Sequence, residues 1–222
     1  MKREIIITDD GSTTIHIPEW NEQYHSIHGA IQEAYHVFIK KGLSLFRNRN
    51  ASIMEIGFGT GLNCFITYLE AEKYNLNIDY VGVEAYPISD EELRSLNYIS
   101  ELNATKNKEV FERIHSLSWN EKHVFSNDFS LTKRQQLFED IDDENRFDLI
   151  YFDAFGARVQ PELWTELIFK KMYDSLRING VLVTYSAKGS VRRAMQSVGF
   201  KVERLEGPPG KREMLRAIKV TV

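Results

Sequence analysis

Residues 52–63 read SIMEIGFGTGLN: an apolar run meets three glycines at alternate positions, Gly57, Gly59 and Gly61. Such an order predicts a strand that turns tightly into a helix. Glycines allow a close backbone approach there, and the helix N-terminus offers free N–H groups. This one unit suggests a strand–turn–helix of the kind that holds ligands in α/β folds, although the glycine pattern by itself is a weak signal. A dinucleotide fingerprint would be spaced G-x-G-x-x-G, but Leu62 stands where its third glycine belongs.

The rest of the chain repeats the theme. Residues 3–8 and 13–17 are β-rich and separated by DDGS, which predicts a small hairpin. Residues 29–46 carry Ile31, Ala34, Tyr35, Phe38 and Ile39 at helical spacing. Strands are expected at 52–56, 78–84, 123–128, 147–153 and 181–186, with helices at 62–73, 161–180 and 188–198. Ser89 with Glu92 reads as a capping box, and Gly180 as the residue just past a helix end. The polar stretch 99–121 is ambiguous, and 139–145 (EDIDDEN) reads as a solvated loop. Repeated β–α pairs predict a mostly parallel sheet covered on both faces. The last two strands, 200–206 and 214–220, leave no room for a crossover helix, so they should pair antiparallel. The expected organisation is a single domain over 1–222, with an N-terminal extension (1–48) and a Rossmann-like core (49–222).

In a doubly wound sheet, ligands sit beyond the carboxyl ends of the strands. Four expected strand ends carry informative groups. Glu55 precedes the glycine turn, Glu84 can take ribose hydroxyls, Asp128 can accept from an adenine amino group, and Asp153 lies in YFDAF. A pocket with three acids beyond the glycine turn would repel pyrophosphate. It suits an adenosyl ligand with a positive centre, namely S-adenosylmethionine. The competing roles are ordinary strand-end acids and helix caps.

Charge and composition narrow the partners. The net charge of −4 is unevenly spread: residues 188–219 hold nine basic residues against three acids, a local +6, which leaves −10 elsewhere. Such asymmetry fits a polyanion-binding face or simply solvated helices and strands. No stretch approaches a membrane span, the N-terminus lacks a signal-peptide pattern, and Cys64 is the sole cysteine. These features favour a cytoplasmic location. His25 and His28 are three apart but lack further ligands, so no metal is expected.

Several segments together resemble the methyltransferase domain of the MnmC family of tRNA wobble-uridine modification enzymes. GFGTGLN (57–63) is similar to that family's S-adenosylmethionine loop, and YHSIHGAIQEAYHVF (24–38) to its N-terminal pattern, with Tyr24, Ser26, Gly29, Glu33, Val37 and Phe38 on matching positions. DAFGARVQPELW (153–164), VRRAMQSVGF (191–200) and GKREML (210–215) match further family segments. Ala154, Ala157, Gln160 and Pro208-Pro209 depart from the family's usual residues.

The resemblance implies a class I methyltransferase fold whose seven-stranded sheet has an antiparallel last strand. It implies S-adenosylmethionine held by Glu33, Glu55, Gly57, Gly59, Thr60, Gly61, Asn63, Glu84, Asp128 and Asp153. It also implies methylation of 5-aminomethyl-2-thiouridine at the tRNA wobble position. The 222 residues leave no room for the oxidase domain often fused to this one, so the aminomethyl group is expected to come by some other route or from a separate upstream enzyme. Asp153 is the candidate catalytic residue, orienting the acceptor amine and receiving its proton. Tyr24 and Tyr185 can line the acceptor pocket or pack in the core. Lys188, Arg192, Arg193, Lys211 and Arg212 are candidates for tRNA backbone contacts. Phe155 or Trp164 can stack on an extruded base, with helix packing the competing role for Trp164. Two alternatives remain at this level: a methyltransferase of a small-molecule or protein amine, and a nucleotide-binding protein without methyl transfer.

Overall fold

The computed structural model describes residues 2–221, so the two ends of the expected 1–222 domain lie outside the described residues. A small antiparallel sheet comes first: β1 (Glu4–Ile7), β2 (Thr13–Ile17) and the two-residue β3 (Glu22–Gln23). Helix α1 (Ala30–Ala34) follows and runs on as a π-helical stretch, Tyr35–Lys40. The chain then alternates through β4 (Arg49–Ile56), α2 (Leu62–Ala71), β5 (Leu76–Glu84), α3 (Asp90–Arg94), α4 (Tyr98–Glu101), α5 (Lys108–Ser116), β6 (Lys122–Ser126), β7 (Phe129–Gln135) and β8 (Phe147–Phe152). It ends with α6 (Glu166–Ser175), β9 (Leu176–Thr184), α7 (Gly189–Ser197), β10 (Phe200–Glu206) and β11 (Glu213–Lys219).

The main sheet has eight strands in the order β10-β11-β9-β8-β4-β5-β7-β6. β4 pairs parallel with β5 and with β8, as β5 does with β7 and β8 with β9. β11 slots between β9 and β10 and is antiparallel to both, so the expected antiparallel last strand is present. The eighth strand is β6, which adds an antiparallel edge through a hairpin with β7. Both faces of the central strands are buried. Ile53, Tyr80, Leu149 and Tyr151 join one core with Phe38, Phe65 and Phe111; Met54, Val81, Ile150 and Phe152 join the other with Phe169, Met172 and Leu182. That is why these strands read as near-continuous apolar runs.

Three expectations change. The strand that pairs with β5 is Phe129–Gln135, which the sequence hides because Lys133 occupies an inward position beside Phe129 and Leu131. Lys133 is only 2% exposed; its Nζ donates to the His115 carbonyl at 2.8 Å and lies 4.8 Å from the Trp119 ring centre, so the aliphatic stem fills apolar space while the ammonium is satisfied. Helix α6 stops at Ser175 rather than 180, and Gly180 lies within β9. Asn179 there is left-handed (φ 65°), and four residues of β9 bulge against β8 between the pairs Phe147–Leu176 and Leu149–Val181. The capping box is as expected: Ser89 Oγ accepts from Glu92 N, and Glu92 Oε2 accepts from Ser89 N at 2.6 Å.

Candidate active site

β4 lies where the strand order reverses, with β5 on one side and β8 on the other. The crevice beyond its carboxyl end is therefore the expected ligand site. Gly57 turns the chain there at φ 85°, and a Cβ on it would come within 2.5 Å of the Asp153 carbonyl oxygen. Only glycine fits this crossing of two strand ends. Gly57 N and Phe58 N both donate to Val83 O at 3.0 Å, and Glu84 ties down the turn: its Oε2 accepts from Gly59 N at 3.0 Å and its Oε1 from Tyr86 N at 2.9 Å. Thr60 Oγ1 accepts from Tyr98 OH at 3.1 Å, with His25 Nε2 at 3.5 Å. Burial pushes His25 down to about 4, so its imidazole is neutral at pH 7; Nδ1 meets Thr14 Oγ1 at 3.0 Å.

Behind the turn, one amide bridges two acids. Asn63 Nδ2 donates to Glu55 Oε1 at 2.9 Å and to Asp153 Oδ2 at 2.8 Å, while Tyr80 OH donates to Glu55 Oε2 at 2.7 Å. Burial raises the Glu55 carboxyl well above the usual range. Burial, then the nearby Glu33 charge, pushes Asp153 up to about 7, against the pull of Asn63 and Lys211. Asp153 is therefore a carboxyl that exchanges its proton near neutrality. Asn63 Oδ1 is buried and has no hydrogen-bond partner among the described residues.

A cavity of about 700 Å³ opens from this floor. Leu137 and Phe138, just after β7, bound it on the β5 side. Trp20 and Tyr24 from the N-terminal segment and Phe155 from the loop after β8 form an aromatic wall. Phe155 meets Tyr24 edge-on at 4.9 Å and Trp20 at 5.5 Å. Trp164 is 5% exposed and packs against Phe152 and Phe169; its Nε1 donates to Phe155 O at 2.7 Å, so it holds the loop instead of facing a base.

Of the expected site residues, Tyr24, Glu55, Gly57, Gly59, Thr60, Asn63, Glu84 and Asp153 line this cavity. Gly61 is the left-handed residue at the start of α2, backed by His115. Glu33 is 5% exposed and sits behind the wall, where it accepts from Ser26 N at 2.9 Å and pairs with Lys211. Lys211 thus faces inward, its Nζ 3.9 Å from the Tyr185 ring centre, and is not a free backbone-binding cation. Tyr185 OH donates to Ala154 O at 2.8 Å, which supports the 153–155 turn from behind. Asp128 is displaced altogether. It is exposed in the β6–β7 turn, at the amino end of β7, where its carbonyl accepts from Ile78 N. That is the edge of the sheet opposite the glycine turn, so Asp128 cannot serve the adenine side. Lys188, Arg192, Arg193 and Arg212 make no ion pair among the described residues. His28 pairs with Asp9, and no cluster of three potential metal-ligating side chains occurs among the described residues. No helix there is long and apolar enough to cross a membrane.

The donor set fits S-adenosylmethionine. Glu84 faces the cavity from a strand end, Leu137 and Phe138 line it with apolar surface suited to a flat base, and Asn63, whose Nδ2 bridges two acids, keeps an unpartnered Oδ1 that suits an ammonium.

Comparison with known proteins agrees with this geometry. A family model described as S-adenosyl-L-methionine-dependent methyltransferase matches residues 104–220. The tRNA 5-methylaminomethyl-2-thiouridine biosynthesis bifunctional protein MnmC of Idiomarina loihiensis is 27% identical over 213 residues, covering 88% of this chain and 35% of that protein. The protein of the same name from Burkholderia multivorans is 30% identical over 223 residues, covering 93% and 33%. The chain thus spans about a third of the length of these relatives. Among solved structures, MnmC2 from Aquifex aeolicus shares the fold with a TM-score of 0.79 at 23% identity, covering 100% of this chain and 71% of that one. Spermidine synthase from Thermotoga maritima shares it more loosely, with a TM-score of 0.53 at 12% identity, covering 97% and 72%.

Proposed function

The chain belongs to the S-adenosyl-L-methionine-dependent methyltransferase family, and from that premise we propose that it methylates the amine of 5-aminomethyl-2-thiouridine at the tRNA wobble position. The observation that carries the acceptor chemistry is the Asp153 carboxyl on the cavity floor, held through Oδ2 by Asn63 Nδ2 at 2.8 Å and raised towards neutrality by burial. The tRNA-modification role of its relatives, the bifunctional MnmC proteins, supports the choice of tRNA.

S-adenosylmethionine supplies an already activated methyl group, so the protein's work is positioning and proton management. Glu84 would hold the ribose, Leu137 and Phe138 the adenine, and Asn63 Oδ1 with Glu55 the amino-acid end. The acceptor must lose a proton to react. An alkyl amine with a pKa near ~10 is only about 0.1% neutral at pH 7, a penalty of about 4 kcal/mol. A partly buried base matched to pH 7 takes that proton most effectively. Asp153 fills this role, with Asn63 fixing its Oδ2 and leaving Oδ1 for the amine. Phe155 and Tyr24 stack or edge against the extruded uracil ring. Lys188, Arg192, Arg193 and Arg212 contribute phosphate contacts, and Lys211 instead compensates Glu33 beside the site. An upstream enzyme supplies the aminomethyl group, and the tRNA substrate implies action in the cytoplasm.

The test compares acceptors. With labelled S-adenosylmethionine, tRNA carrying the aminomethyl group should accept methyl, whereas an unmodified transcript and free small amines should not. Binding to tRNA should weaken with salt, with a log–log slope near −1 for each neutralised phosphate. Equal transfer to a free amine would remove tRNA as the substrate.

A further inference from the structure

The aromatic wall is assembled from two segments far apart in sequence. Trp20 and Tyr24 lie on either side of a turn and a two-residue strand, while Phe155 follows β8. The N-terminal piece has a short ladder of its own, the pairs His16–Gln23 and Ile17–Glu22 of β2 and β3, and Tyr24 N adds a bond to Ile15 O at 2.9 Å; the turn at residues 20–21 is held to β2 by Trp20 N alone, which donates to Ile17 O at 3.2 Å. Its turn places Asn21 at φ 47° and leaves the carbonyls of Trp20 and Asn21 side by side.

A single side chain from the other segment collects both. Arg158 Nη2 lies 2.9 Å from Trp20 O, 2.8 Å from Asn21 O and 2.8 Å from Glu22 Oε2. Arg158 does not itself line the cavity. The glycine turn needs no such latch, because Gly57, Phe58 and Gly59 are tied to Val83 and Glu84. We infer that Arg158 is a positioning residue: it latches residues 20–24 onto the 153–160 loop and so builds the aromatic wall that receives a planar base. The acceptor being a nucleobase rests on the function proposed above; the latch does not.

The test uses Arg158→Met and Arg158→Lys in the full chain, with steady-state transfer to aminomethylated tRNA, S-adenosylmethionine binding by calorimetry, and hydrogen exchange. Arg158→Met should raise the KM for tRNA about tenfold with kcat nearly unchanged, because a misplaced wall weakens acceptor docking. Affinity for S-adenosylmethionine should stay within about twofold, and Arg158→Lys should recover part of the KM. Exchange should quicken in residues 18–24 and stay unchanged in 62–71. Because both variants act through one wall, Arg158→Met on top of Trp20→Ala should add little. Unchanged exchange in 18–24, fully additive effects, or an equal loss of cofactor affinity would overturn the latch. So would a salt slope smaller by about 0.9, which would mean that Arg158 touches a phosphate directly. If wild type fails to methylate tRNA, the proposed function falls, and the exchange experiment still decides the latch.

Discussion

Asp153→Asn separates the electrostatic account from simple packing. Asp153 is raised from 3.8 to about 7, chiefly by burial. Across that window the folded protein keeps a proton that the unfolded chain has released. Stability from this group is therefore complete below about 3.8 and is lost as pH rises towards 7. The loss is about 1.4 kcal/mol per pH unit, or roughly 4 kcal/mol over the whole window as a ceiling. Asparagine cannot ionise, and its amide oxygen can still accept from Asn63. Urea unfolding of both ligand-free proteins should show the variant gaining on wild type by about 2–3 kcal/mol between pH 5 and pH 8, the part of the window up to 7. The same substitution should slow methyl transfer under single-turnover conditions by about 10²–10⁴-fold, the usual worth of a positioned base. A stability difference that stays flat with pH would refute the buried-acid argument. A rate within about twofold of wild type would refute the catalytic role.

Three further perturbations probe the neighbours. Lys211→Met leaves the Glu33 carboxylate buried and unpaired, so unfolding free energy should drop by about 3 kcal/mol. Removing that cation also raises Asp153 further, so the acid limb of the rate–pH profile should move to higher pH. Gly57→Ala forces a Cβ against Asp153 O and strains a left-handed residue by about 1–3 kcal/mol; calorimetry should show S-adenosylmethionine binding largely abolished. Glu84→Ala removes the acceptor of two loop N–H groups and, under the proposed function, the ribose-binding group, and should weaken S-adenosylmethionine binding by at least about tenfold.

The local chemistry of the glycine turn, Glu84 and Asp153 was legible because each follows a strong apolar strand, and strand ends are where such a fold binds ligands. β7 was not legible. Lys133 sits in an inward register, so FSLTKRQ reads as polar surface until His115 O and Trp119 are seen to receive the ammonium. Losing that strand moved its expected carboxyl end to Asp128, whereas Leu137 and Phe138 are the residues that bound the cavity on that side. Trp20 carried no periodic signal, since its place on the wall is set by tertiary contacts with Phe155 and Arg158. Lys211 belonged to a run of basic residues by count, yet a buried carboxylate 178 positions away turns it inward. Local pattern identified the residues that strand-end geometry places on the cavity. It missed those whose role depends on a partner distant in sequence.

The proposed reaction delivers a donor methyl group to one amine on one tRNA base. The most direct measurement incubates the protein and labelled S-adenosylmethionine with tRNA bearing 5-aminomethyl-2-thiouridine, then digests the tRNA and resolves its nucleosides. Label is expected in 5-methylaminomethyl-2-thiouridine alone. No label at saturating donor, or label in any other nucleoside, would contradict it.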